Sequence, residues 1–257
     1  MTGFVYLVGA GPGDPELLTV RAVRLLEGAD TIVHDRLVHP GALAYAAPHT
    51  RLIYVGKEGG GAQVPQAEID RVLIAQARLG RTVVRLKGGD PCVFGRGGEE
   101  ALALEAAGIP YAIVPGVSSG VAAPAAAGIP VTHRGVAASV TFATAHRADG
   151  DVDWAHLAGA ETLVLFMAGA RLADIAARLC AAGRAPTTPA AVIARATLPD
   201  QQVTVTTLAG LADVAAAGVA SPALLVVGAT VALRAQLAHL ATFPWPAAAR
   251  AAAGAPA

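Results

Sequence analysis

TVVRLKGGDPCVFGRGGEE, residues 82–100, decides the fold class, because an apolar run ends in glycines and a helical pattern follows. The run from Thr82 to Leu86 is typical of a buried strand, and EEALALEAAG is typical of a helix. Gly88 and Gly89 have no Cβ, so a ligand can approach the backbone closely there. This arrangement is how α/β proteins build ligand sites, and a tight connection without a ligand is the simpler alternative.

The composition excludes several classes of protein. Hydrophobic residues make up 54% of the 257 residues, enough for a sizeable core. Lys plus Arg and Asp plus Glu both number 19, so nothing predicts binding to nucleic acid or to a membrane surface. Two separated cysteines and seven histidines without ligand spacing predict neither disulfides nor a metal site. Without a recognisable signal peptide, we expect a cytoplasmic protein.

The first part of the chain alternates strands with helices. Thr19 is predicted to cap a helix, and another is predicted over 65–79. The predicted strands are 4–8, 31–34, 51–55, 82–86 and 110–114. This alternation indicates a mostly parallel sheet. Glycine loops follow residues 8, 55 and 87, so we expect a ligand at the carboxyl edge of the sheet.

The pattern changes after Pro115-Gly116, because strands then follow strands around one amphipathic helix, RLADIAARLCAAG. These strands are predicted at 137–146, 161–169, 190–197, 201–208 and 222–228, and they favour a mixed second sheet. The uncharged run 111–131 is read as strand, loop and helix rather than a membrane span. We therefore predict an N-terminal α/β domain at 1–115, a C-terminal α/β domain at 116–241, and a disordered tail at 242–257.

Two short motifs match known sites only in part. The first loop, GAGPGD, departs from the dinucleotide fingerprint because Asp14 replaces its third glycine and Pro12 has no backbone N–H to donate. Gly116 to Gly120 matches the nucleophile elbow G-x-S-x-G, but Pro115 stands where the strand should enter the elbow. The sequence therefore disfavours a serine hydrolase.

Asp35-Arg36 and Lys57 each follow a predicted strand and are expected side by side at the carboxyl edge. A carboxylate beside a cation can exchange protons with a substrate, and a plain salt bridge is the alternative. Lysine can titrate when it is desolvated, which favours Lys57 as a functional residue.

Together these segments resemble the tetrapyrrole methylase family. The resemblance rests on VYLVGAGPGDPELLT, VHDRLV, YVGK, PQAEID, VVRLKGGDPCVFGRGGEE, VPGVSS, GIPVTHRG and SPALLVVG, which extend to about residue 240. It implies two α/β domains with S-adenosylmethionine in the cleft between them, a homodimer, and no metal. It implies S-adenosylmethionine-dependent C-methylation of uroporphyrinogen III at C2 and C7, through precorrin-1 to precorrin-2, with S-adenosylhomocysteine released. A methylase of a later precorrin and a non-catalytic binder of the cofactor or a tetrapyrrole remain alternatives.

The resemblance also assigns residue roles. Asp35 would be the proton acceptor and Lys57 the proton donor. Cationic side chains at Arg36, Arg134 and Arg147 are expected to hold the substrate carboxylates. Cofactor contacts are carried onto Pro12, Gly88, Gly89, Asp90, Val93, Ser118, Ser119, Met167 and Ala196.

The chain departs from the family pattern in the loop after Lys57. Glu58 and Ala62 stand where relatives usually have arginine and histidine. A loop that is basic in the family is therefore neutral here, which leaves the details of substrate binding open.

Overall fold

The computed structural model describes residues 2–56, 64–145, 152–237 and 240. These residues fall into two compact units, one up to Ser119 and one from Gly120 onward. We call them the N-terminal unit and the C-terminal unit. The predicted domain boundary at Pro115-Gly116 stays a prediction.

The N-terminal unit contains a five-stranded parallel sheet in the order β3-β2-β4-β1-β5. Its strands are β1 (Phe4–Gly9), β2 (Thr31–His34), β3 (Arg51–Tyr54), β4 (Thr82–Lys87) and β5 (Tyr111–Val114). All five strands were predicted, with bounds that differ by one residue at most. The alternation of strands and helices in the sequence therefore predicted the strands of this sheet correctly.

Helices cover both faces of this sheet. They are α1 (Val20–Glu27), α2 (Pro40–Leu43), α3 (Gln66–Arg78) and α4 (Gly97–Ala106). A further helix, α5 (Ser119–Ala126), begins at the last residue of the N-terminal unit and continues in the C-terminal unit. The Thr19 hydroxyl accepts the Ala22 backbone N–H at 3.1 Å, which confirms the predicted cap. One apolar core packs α1 and α2 against one face, and a second core packs α3 and α4 against the other.

Two neighbouring strands of this sheet send their helices to opposite faces. β1 and β4 are paired in the sheet, but α1 leaves β1 for one face and α4 leaves β4 for the opposite face. The helices that follow these strands therefore lie on opposite faces, while the loops that lead to them meet at the carboxyl edge. Such a topological switch point is where open α/β sheets bind ligands.

The C-terminal unit contains a five-stranded mixed sheet in the order β6-β7-β10-β8-β9. Its strands are β6 (Val140–Thr144), β7 (Thr162–Phe166), β8 (Pro189–Ala194), β9 (Gln202–Thr207) and β10 (Ala223–Gly228). The pair β6–β7 is parallel and the other pairs are antiparallel, so the sheet is mixed, which confirms the prediction. Its helices are α6 (Trp154–Ala158), α7 (Leu172–Ala181) and α8 (Leu211–Ala217).

Within the described ranges, no helix is both long and apolar enough to cross a membrane. The same ranges contain no group of His, Cys, Asp and Glu side chains that could hold a metal ion. The predicted tail at 242–257 lies outside the described residues.

Candidate functional site

Four glycines bring the loops after β1, β4 and β5 into backbone contact at the switch point. A Cβ on Gly9 would lie 2.5 Å from the Gly116 Cα and 2.6 Å from the Gly89 carbonyl oxygen. Gly89 N donates to Gly11 O at 2.6 Å, and Gly11 N donates to Gly89 O at 3.2 Å. No side chain fits between these backbones, so glycine is required for the loops to meet.

Gly89 leaves one side of this turn open. Its φ is +68°, a left-handed conformation that disfavours residues with a side chain. A Cβ placed on it would meet only the Ser119 N at 3.7 Å and the Ser118 Cα at 3.9 Å, which are ordinary contact distances. The turn therefore presents partly accessible backbone beside the start of α5.

Asp90 ties two of these loops together. One carboxylate oxygen accepts the Cys92 backbone N–H at 2.8 Å, and the other accepts the Gly116 backbone N–H at 3.0 Å. Val93 N donates to the Asp90 carbonyl oxygen at 3.4 Å. Asp90 therefore stabilises the shape of the turn, a structural use that its position alone did not indicate.

The N-terminal unit thus gathers most of the residues that the resemblance assigned to the cofactor. Pro12 adjoins Gly11, whose backbone is hydrogen-bonded to that of Gly89. Ser118 and Ser119 face the open side of Gly89. The residues that meet around this turn are Pro12, Gly88, Gly89, Asp90, Val93, Ser118 and Ser119.

Asp35 follows β2 and lies close to the glycine turn. A Cβ on Gly88 would be 2.9 Å from the Leu37 Cβ, so the loop that carries Asp35 packs against the turn. Asp35 accepts hydrogen bonds from the Leu37 backbone N–H at 3.1 Å and from Arg85 Nη2 at 3.3 Å. Its side chain keeps 27% exposure, so the carboxylate is held in place and still accessible.

Lys57 lies outside the described residues, as do Glu58 and Ala62. The chain before it is described. A Cβ on Gly56 would come within 2.8 Å of the Arg36 backbone nitrogen, so the ends of β2 and β3 remain adjacent past the sheet. The Arg36 residue is exposed.

A buried cluster of charges, which sequence reasoning missed, lies directly beneath Asp35. Arg85 Nε donates to Glu100 Oε1 at 3.1 Å, and Lys87 Nζ donates to the same oxygen at 2.8 Å. The three side chains are 3%, 5% and 0% exposed for Arg85, Lys87 and Glu100. We call Arg85, Lys87 and Glu100 the buried charge cluster.

Burial, together with repulsion from the Arg85 guanidinium, lowers the pKa of Lys87. The hydrogen bond and the opposite charge of Glu100 act in the other direction without cancelling this shift. Lys87 follows the predicted strand 82–86 and is the last residue of β4 in the structure.

The C-terminal unit places two further predicted residues at one edge of its sheet. β7 and β8 both pair antiparallel with β10, so their carboxyl ends lie at the same edge. Met167 follows β7, has φ +58° and is 56% exposed. Ala196 follows β8 between Arg195 and Thr197, both of which also have positive φ. Backbone strain of this kind often occurs at functional sites.

Arg134, which was predicted to bind the substrate, does not lie at that edge. Arg134 is exposed in the turn closed by the His133–Ala137 backbone pair, before the amino end of β6. Arg147 lies outside the described residues.

Comparison with known proteins identifies the family. The uroporphyrinogen-III C-methyltransferase of Pseudomonas aeruginosa PAO1 is 50% identical over 231 residues, which cover 89% of this chain and 94% of that protein. Siroheme synthase 1 of Yersinia enterocolitica is 50% identical over 94% of this chain but only 52% of its own length. The chain therefore spans about half the length of the siroheme synthases that it matches.

A solved structure and a family model agree with these relatives. The uroporphyrin-III C-methyltransferase of Thermus thermophilus, solved in complex with S-adenosylhomocysteine, superposes with a TM-score of 0.79 at 43% identity, covering 89% of this chain and 93% of that one. The model of the Tetrapyrrole (Corrin/Porphyrin) Methylases matches residues 5–212. This chain belongs to the tetrapyrrole methylase family.

Proposed function

We propose that this protein transfers methyl groups from S-adenosylmethionine to C2 and C7 of uroporphyrinogen III, giving precorrin-2 through precorrin-1. The observation that carries the proposal is the 50% identity to a uroporphyrinogen-III C-methyltransferase over 94% of that protein's length. The glycine turn at the switch point supports this proposal, because a ligand can approach its backbone and the chain belongs to a family of tetrapyrrole methylases.

We place the cofactor at the open side of the glycine turn. A ligand can occupy the space that a Gly89 side chain would fill, next to Ser118 and Ser119. Pro12, Gly88, Asp90 and Val93 complete this proposed contact set in the N-terminal unit, and the resemblance adds Met167 and Ala196. When bound, S-adenosylmethionine supplies a methyl group on a positively charged sulfur, which a carbon nucleophile can take directly.

The residues around the turn have to position reactants rather than activate them. A new bond forms between a pyrrole carbon and the methyl carbon while the sulfur–methyl bond breaks, so the sulfonium charge passes to the macrocycle. The macrocycle then loses a proton. Asp35 is the proposed acceptor because its carboxylate is both held and accessible, and Lys57 is the proposed donor.

The substrate carries acetate and propionate groups that require cationic partners. We assign Arg36, Arg134 and Arg147 to this role, since guanidinium groups bind carboxylates through paired hydrogen bonds. We also propose a homodimer, which light scattering at micromolar concentration would test. A monomer under those conditions would contradict it.

The proposal is tested by incubating the purified protein with uroporphyrinogen III and S-adenosylmethionine without oxygen. We expect a product heavier by two CH₂ units, because each methyl group gained replaces one lost proton, together with S-adenosylhomocysteine. Turnover of a later precorrin but not of uroporphyrinogen III would favour the first alternative. Binding of both ligands without any methylated product would favour a non-catalytic binding protein.

A further inference from the structure

The buried charge cluster requires an explanation because it occupies the interior of a parallel sheet. Arg85 stands between Val84 and Leu86 in β4, a strand whose other residues are largely apolar. Charged side chains are rarely this buried unless they are paired. Because a well-packed apolar replacement for a buried ion pair is often as stable, stability alone is weak grounds for keeping one.

Three acceptors fix the Arg85 guanidinium on its inner side. Nε donates to Glu100 at 3.1 Å, and Nη1 donates to the carbonyl oxygens of Val33 at 3.4 Å and Leu86 at 3.2 Å. Glu100 is itself held by Lys87 at 2.8 Å. Nη2 is left pointing at the Asp35 carboxylate, 3.3 Å away.

Both oxygens of the Asp35 carboxylate therefore accept a hydrogen bond. Leu37 N holds Oδ1 and Arg85 Nη2 holds Oδ2, while more than a quarter of the side chain stays exposed. A carboxylate that must meet a substrate needs a fixed direction, because small misplacements of reacting groups are costly in rate. A salt bridge at the surface would not require an arginine that is only 3% exposed and is hydrogen-bonded to three other acceptors.

We propose that Arg85 is a positioning residue, held by Glu100, which directs the Asp35 carboxylate toward the substrate. This inference rests on the proposed role of Asp35 in methyl transfer. It adds a residue that was not predicted to take part in the site and that contacts Asp35 from within the sheet.

The structure offers a matched control. Arg85→Met and Lys87→Met each remove one buried cation from Glu100 and leave the other in place, so each retains one cation against one buried anion. Of these two cations, only Arg85 is hydrogen-bonded to Asp35. We expect both variants to fold and to bind S-adenosylhomocysteine with parental affinity. We expect kcat to fall by about tenfold to a hundredfold in Arg85→Met alone.

A double-mutant cycle separates positioning from a general structural effect. If Arg85 acts through Asp35, Arg85→Met should reduce kcat little further in an Asp35→Asn background. Additive losses in the double variant would overturn the inference. Equal losses in Arg85→Met and Lys87→Met would also overturn it, because they would report only a disturbed core.

A second variant keeps the test decisive if Arg85→Met does not fold. Arg85→Lys preserves the charge but presents one point charge instead of a fork, so it cannot bridge Glu100 and Asp35 as arginine does. We expect it to fold and to lose part of kcat, and a parental kcat would refute the inference. A parental protein that makes no methylated product would instead refute the proposed function.

Discussion

Gly89→Ala tests whether the glycine turn carries the cofactor, because the substitution adds a methyl group without a collision inside the protein. The new Cβ would lie 3.7 Å from the Ser119 nitrogen and 3.9 Å from the Ser118 Cα. The cost to the protein itself is therefore the left-handed backbone at φ +68°. That strain amounts to about 1–2 kcal/mol for a residue with a Cβ. For a chain of this size it should lower Tm by roughly 2–8 °C.

Gly108→Ala is the matched control. Gly108 follows α4, has φ +65°, and a Cβ on it would have nothing within 4 Å. The two variants should therefore lose similar stability. Only Gly89→Ala should weaken S-adenosylhomocysteine binding, by at least about tenfold or 1.4 kcal/mol, because its methyl group occupies ligand space.

Isothermal titration calorimetry of both variants, with melting curves, provides the comparison. A folded Gly89→Ala variant with parental affinity would show that the ligand does not approach this turn. Equal weakening in both variants would attribute the loss to strain and would refute the placement as well.

Three further predictions concern the same unit. Gly116→Ala places a Cβ 2.4 Å from the Gly89 carbonyl oxygen and 2.7 Å from the Gly9 Cα. Because this overpacks the loops, the free energy of unfolding measured in urea should fall by about 1–3 kcal/mol. Burial lowers the pKa of His34 below 6.5 in the folded protein, so the unfolded state binds more protons as the pH falls through 6.5. The free energy of unfolding of the parental protein should therefore decrease over this pH range. The decrease should be smaller in His34→Phe. Asp35→Asn should keep Tm and cofactor affinity while the first methyl transfer slows by about a hundredfold, and a parental rate would remove Asp35 from the chemistry.

Local signals in the sequence predicted most of the fold. The Thr19 cap, the glycine loops and the apolar runs each act over a few residues, so their patterns are visible without the structure. The short helices α2, α6 and α8 were not predicted. Helices of this length depend on tertiary packing more than on intrinsic propensity, and α8 (LADVAAA) has few polar residues to mark an exposed face.

The site was predicted less completely because its key contacts join distant parts of the chain. Asp90 was recognised, but its bond to Gly116 spans 26 residues and no spacing rule indicates it. The buried charge cluster joins β4 to α4 across 13 and 15 residues. One signal was available, since Arg85 interrupts the apolar run 82–86, which was predicted to be a buried strand. Charged side chains there imply a partner.

The most direct test of the proposed function uses S-adenosylmethionine labelled with ¹³C in its methyl group. After incubation with uroporphyrinogen III, carbon NMR of the product should show two labelled methyl signals, assigned to C2 and C7. Only one signal should appear early, from precorrin-1. Labelled methyl groups at other ring positions, or no transfer from a protein that binds both ligands, would contradict the proposed function.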